Sequence, residues 1–156
     1  MTDLRTILAV LTLILVAACG RAPSSDVDIS AARVTEPITG RTVSLGGFEV
    51  KAIGEDMRLL SVSSEAASRI ELHTMLNEDG VLKMRKLPDG LTVAAGETAT
   101  LGSGGPHLMV FGLRDDLVAG DEITLQITYE QAGQTRTRSV GSVIQSLGAE
   151  TGQTNH

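Results

Sequence analysis

Ile123-Thr124-Leu125-Gln126-Ile127-Thr128-Tyr129 alternates apolar and polar residues without a break. Successive side chains of an extended chain point to opposite faces, so Ile123, Leu125, Ile127 and Tyr129 share one face and Thr124, Gln126 and Thr128 the other. A period of two with one apolar face predicts a half-buried β-strand. Asp115-Asp116 and Ala119-Gly120-Asp121 punctuate the chain before it, and Ala132-Gly133 marks a turn after it. Working outward, the same grammar recurs. Residues 47–53 and 57–62 read as strands joined by the Gly54-Glu55-Asp56 turn, 98–101 as a brief strand, and 135–143 as a last one. Residues 63–68 read as a loop or helical turn. There is no internal repeat and no long amphipathic helix pattern. Short alternating runs separated by turn residues specify an all-β sandwich or barrel.

The 156 residues suffice for a single domain with a real core. Residues 7–18 are apolar except for Thr12. Twelve residues fall short of the roughly 20 that a membrane-spanning helix requires, and they fit the apolar region of a secretory signal. The run ends in Leu15-Val16-Ala17-Ala18-Cys19-Gly20, which resembles a bacterial lipobox, and Cys19 is the only cysteine in the chain. The expectation is a lipoprotein signal peptide over residues 1–18 and acylation at Cys19, giving a membrane-anchored protein on the periplasmic side of the envelope. The alternative is an ordinary signal peptide and release into the periplasm. Residues 19–30 are small and polar and read as a flexible tether, residues 31–145 as the folded domain, and residues 146–156 as a tail.

Composition excludes several functions. Removing residues 1–18 takes away Asp3 and Arg5 together, so the net charge stays at −6. Nucleic acids and anionic membrane surfaces reward basic patches, so neither is an expected partner beyond the lipid anchor itself. A domain without cysteine cannot build a blue-copper centre, which needs a thiolate ligand. Thiol–disulfide exchange and cysteine nucleophiles are excluded with it.

Chemistry concentrates between His73 and Met109. His73-Thr74-Met75 precedes Asn77-Glu78-Asp79-Gly80 and Val81-Leu82-Lys83-Met84, and Gly104-Gly105-Pro106-His107-Leu108-Met109 follows. Two of three histidines and three of five methionines fall here. Imidazole with thioether and no thiolate suits reduced copper, whereas magnesium and calcium want oxygen and structural zinc favours Cys and His. With residues 77–80 as a four-residue hairpin loop, His73 is expected opposite Met84, close enough for one ion to touch both. Glu71 is then expected opposite Lys86. His107 and Met109 share a face, being two apart on an extended segment. Leu108 and Val110 are expected to anchor their strand in the core. Met57 reads as packing or surface, and Met75 as either a further sulfur or a hydrophobic lip.

The arrangement resembles the periplasmic PCu(A)C-type copper chaperones, whose pattern is His, ten residues, Met, about twenty-one residues, then His-x-Met. Ten residues separate His73 from Met84 and twenty-two separate Met84 from His107, the extra one assigned to the Leu87-Pro88-Asp89-Gly90 turn. The flanks agree as well, in Ser64-Glu65-Ala66-Ala67-Ser68-Arg69-Ile70-Glu71-Leu72-His73, Gly80-Val81-Leu82-Lys83-Met84-Arg85 and Ala94-Ala95-Gly96. The resemblance covers roughly residues 31–131; Pro106 departs from it, standing where the family often carries an aromatic. It implies a cupredoxin-like β-barrel or sandwich with an exposed Cu(I) site made by His73, Met84, His107 and Met109. It further implies delivery of copper to the Cu(A) centre of cytochrome c oxidase, with other periplasmic copper carriers as partners and no enzymatic activity. Two rivals are a periplasmic copper store, needing the same ligands, and a metal-free lipoprotein domain that binds a protein partner. A copper oxidase or reductase ranks below these, for want of a second metal cluster or an acid–base set.

Overall fold

In the computed structural model, which describes residues 26–37, 40 and 42–146, the alternating run becomes the strand β9 (Glu122–Gln131). Ile123, Leu125, Ile127 and Tyr129 are all buried, as their shared face requires. The described residues form ten strands and no helix. The others are β1 (Asp26–Thr35), β2 (Val43–Ile53), β3 (Met57–Ser63), β4 (Ala67–Glu78), β5 (Val81–Lys86), β6 (Leu91–Val93), β7 (Thr98–Thr100), β8 (His107–Leu113) and β10 (Gln134–Gln145). Pairing runs β5-β4-β8-β2-β1-β10-β9-β3-β6, with β7 added on β2. This is an open β-sandwich, all-β as the alternation requires.

β1 joins the two halves. It pairs antiparallel with β2, from Asp26↔Ile53 to Val34↔Gly46, and parallel with β10 at Arg33↔Val143 to Thr35↔Gln145. A register shift between Ser30 and Arg33, with Ala31 at φ 52°, bends the strand between its partners. Residues 26–30, which composition places in the tether, are therefore strand. Val27 and Ile29 alternate with polar residues there, Val27 is buried in the core with Ile29 packed against it, and pairing with β2 holds the segment extended. The segments expected to be the signal peptide, the first part of the tether with Cys19, and the tail from 147 onward lie outside the described residues.

One core forms between the halves. Phe48 and Val50 of β2, Leu72 of β4 and Leu108 and Val110 of β8 meet Leu59 of β3 and the buried face of β9. Each such side chain, fully buried, contributes roughly 1.5–3 kcal/mol. Met57 is part of this core, 1% exposed. Residues 64–66 form the turn into β4, shorter than the loop over residues 63–68 that composition suggests. Because Leu72, Leu108 and Val110 face inward, the alternate residues of β4 and β8 must face outward, and that outer face carries the chemistry.

Candidate metal centre

The outer face is a ladder whose rungs are read from the register. β8 lies between β4 and β2, and its pairs are Arg69↔Phe111, Glu71↔Met109 and His73↔His107 on one side and Leu45↔Met109 on the other. β5 flanks β4, with Met75↔Met84 and His73↔Lys86. The two histidines therefore form a central rung, with ring centroids 6.2 Å apart and planes at 38°. Met109 lies on the rung to one side of them, and Met75 with Met84 on the rung to the other. At the far end the Arg69 guanidinium lies 4.2 Å over the Phe111 ring and its Nε reaches Glu71 at 3.1 Å.

Each imidazole has one nitrogen committed and one free. His107 Nδ1 is 2.8 Å from Gly105 O. A carbonyl only accepts, so Nδ1 carries the proton and Nε2 keeps its lone pair. His73 Nε2 is 3.0 Å from Glu71 Oε2, and the carboxylate likewise requires the proton on that nitrogen, leaving Nδ1 as the lone-pair atom. Both lone-pair atoms, His107 Nε2 and His73 Nδ1, are buried without a hydrogen-bond partner. A buried acceptor with no partner costs about 1–3 kcal/mol. Two of them side by side fit a soft cation, which would take both lone pairs. Tying the other ring nitrogen to a carbonyl or carboxylate is also how ligating histidines are usually fixed.

Glu71 organises this half of the site. Besides His73 it holds Lys86 Nζ at 3.0 Å. The His73 N–H, then Lys86, with the Arg69 charge behind them, hold its carboxyl down at about 2 against the opposing effect of partial burial. A depressed carboxylate favours the fold above its unfolded value, roughly 4.3, and loses that contribution as pH falls through its folded value. Glu71 is thus expected to stay ionised from neutrality to below pH 4, with its link to His73 intact. A carbon-detected NMR titration of the side-chain carboxyl checks this, and a midpoint above pH 4 would refute it.

The hairpin departs from its expected register. Residues 77–80 do not form a four-residue loop. Asp79 and Gly80, at φ 54° and 82°, make a two-residue turn, and pairing continues to Glu78↔Val81. Two consecutive positive φ values are the signature of the type I′ hairpin turn that Asp-Gly favours, and Gly80 N–H donates to Asn77 Oδ1 at 2.8 Å. Met84 accordingly stands opposite Met75, with His73 opposite Lys86. The slip is even, so Met84 keeps the outer face but lies diagonal to His73. Glu71 still reaches Lys86, along that same diagonal.

The match to the family described as "Putative lipoprotein LpqE-like" covers residues 27–140. The chain belongs to the LpqE-like family. Over 104 residues it is 32% identical to "Putative lipoprotein Lxx21020" of Leifsonia xyli subsp. xyli (strain CTCB07), covering 66% of this chain and 61% of that protein. The chain thus spans about three fifths of that relative's length. Among solved structures, "Copper-bound PCuAC domain from PmoF2" superposes with a TM-score of 0.61 at 16% identity, covering 80% of this chain and 96% of that one. "Solution structure of CuI-DR1885 from Deinococcus Radiodurans" does so at 0.58 and 23%, covering 82% and 83%. The LpqE-like chain therefore has the cupredoxin-like fold of PCuAC domains, as its sequence resemblance implies.

In this LpqE-like chain the structure brings the four expected ligands onto one face, but unevenly. His107, 5% exposed, lines a cleft of about 270 Å³ with Met84, Met75, Leu45, Leu82 and the 102–104 turn. His73 does not line the cleft and meets it only through its cross-strand pairing with His107, and Met109 stands on the rung beyond, between Glu71 and Leu45. Met84 is 44% exposed, so the site opens to solvent on that side. Sequence reasoning did not place Glu71 as the partner that fixes His73. The signal was its position two residues ahead on the same strand face.

Proposed function

We propose that this LpqE-like protein binds Cu(I) at His73, His107, Met84 and Met109 and passes it to a protein acceptor. The observation that carries the reading is the cross-strand pair of imidazoles whose free nitrogens are buried and without a hydrogen-bond partner. Thioethers flank them on both sides. Among the described residues no group of three or more His, Cys, Asp or Glu is disposed to hold a metal. The donors on offer are therefore two neutral nitrogens and neutral sulfurs, a set suited to reduced copper. Copper here is cargo, and the protein is a carrier and not an enzyme. Exposed Met84 lets ligands leave one at a time while those of the acceptor arrive. Exposed Leu45 and Leu82 beside it give an acceptor an apolar surface to meet.

The PCu(A)C resemblance supports the Cu(A) subunit of cytochrome c oxidase as the acceptor. The lipobox and the lipoprotein descriptions of family and relative support anchoring through Cys19 on the periplasmic side. An anaerobic Cu(I) titration of the purified protein against a chromogenic competitor tests the reading. One tight equivalent, weakened in Met84→Ala, is expected. No competition with the chelator would sink it in favour of a metal-free partner-binding domain.

A further inference from the structure

Met75 has no place in the core. It lies on the outer face of β4, opposite in direction to buried Leu72, and is half-buried. The type I′ turn sets it directly across from Met84, where cross-strand Cβ atoms are roughly 4.5–5.5 Å apart. Both methionines line the cleft that holds His107. The other side chains lining it are Leu45, Leu82 and Ser103, with three glycines. Its soft donors are thus two thioethers and one imidazole, and His107 Nε2 is buried there without a hydrogen-bond partner.

Resting on the Cu(I) reading, we propose that Met75 is itself a copper ligand, forming with Met84 an outer dithioether that shares His107 with the inner histidine rung. The ladder gives the ion two adjacent positions. The inner one lies against His73, His107 and Met109, and the outer one between Met75, Met84 and His107. Cargo enters and leaves through the outer position, because β5 is exposed along its whole length while His107 is not. The donors of the outer position carry no charge, and Leu45 and Leu82 line its open side with hydrocarbon. A monovalent soft ion is accepted there in preference to a strongly hydrated divalent one.

The test uses the protein labelled with ¹³C at its methionine methyl groups, titrated anaerobically with Cu(I) alone. The Met75 methyl resonance is expected to move together with that of Met84, both reaching their endpoint at one equivalent. In competition with a chromogenic chelator, Met75→Leu, which conserves volume, is expected to bind at least about tenfold more weakly, the smallest loss seen when even an outer partner of a metal ligand is removed. A stationary Met75 methyl while those of Met84 and Met109 move, with unaltered affinity in Met75→Leu, would overturn the proposal and leave the carrier reading intact. If no methionine methyl moves and the unmodified protein does not compete for Cu(I), the carrier reading falls and takes this proposal with it.

Discussion

Replacing His107 by alanine is expected to weaken Cu(I) binding by more than about a hundredfold, beyond the loss typical of an outer-shell partner. His107 is the one side chain shared by the histidine rung and the methionine cleft. It is 5% exposed, so water cannot readily take its place, and its Nε2 lone pair is directed into the site by the hydrogen bond from Nδ1–H to Gly105 O. Alanine removes that lone pair and leaves the thioethers without a nitrogen donor on β8. The fold should tolerate the change. The loss of one neutral hydrogen bond costs about 1 kcal/mol, and Leu108 and Val110 still anchor the strand. The measurement is anaerobic competition with a chromogenic chelator, run beside a far-ultraviolet dichroism spectrum. A folded variant with unmodified affinity would remove His107 from the site.

The second large effect lies at a residue with no chemistry. Gly47→Ala is expected to destabilise the protein by about 3 kcal/mol, the upper part of the range for overpacking, or roughly 10 °C in melting temperature. A Cβ at Gly47 would stand 2.0 Å from Leu101 O and 2.7 Å from Leu101 C. Both are backbone atoms, so no side-chain rotation relieves the clash. Leu101 N–H donates to Phe48 O at 2.8 Å, and Gly102 N–H to Pro106 O at 2.7 Å. Pushing Leu101 outward therefore strains the 101–106 loop that delivers His107 to its strand. Copper affinity should fall together with a large loss of stability, which separates this variant from His107→Ala, where affinity falls at a cost of about 1 kcal/mol in stability. Thermal unfolding and chelator competition on the same sample make the comparison. A variant that melts like the unmodified protein would mean that the loop does not close on β2 as described.

The strands were legible wherever one face is buried and the other wet. Residues 123–129 show it best, since burying Ile123, Leu125, Ile127 and Tyr129 leaves the polar residues between them at the surface. β1 was not legible over residues 26–30, although Val27 and Ile29 alternate with polar residues there, because two apolar residues next to a Pro- and Ser-containing stretch are too few to tell a strand from a tether. Burial of Val27 and pairing with β2 decide it. The hairpin shows a finer limit. Asp79-Gly80 was in view as a turn, but loop lengths of two and four both fit Asn77-Glu78-Asp79-Gly80. The choice rests on whether Asn77 and Glu78 pair onward, as they do with Leu82 and Val81. The candidate site was legible as residue types and spacing, and its outer-face placement survived the register change because an even slip preserves the face.

By itself, then, the sequence determined an all-β domain, a single cysteine at position 19, and a set of histidines and methionines whose donor atoms suit reduced copper. Tertiary structure alone decided which of these side chains are neighbours. It set His73 against His107, brought Met75 to face Met84, and placed Glu71 where it holds the proton of His73. The physical reason is that alternation along one strand specifies only which face a side chain occupies. Its partners across the sheet depend on register and strand order, and these are set by turn geometry and by close backbone approaches such as that of Leu101 to Gly47.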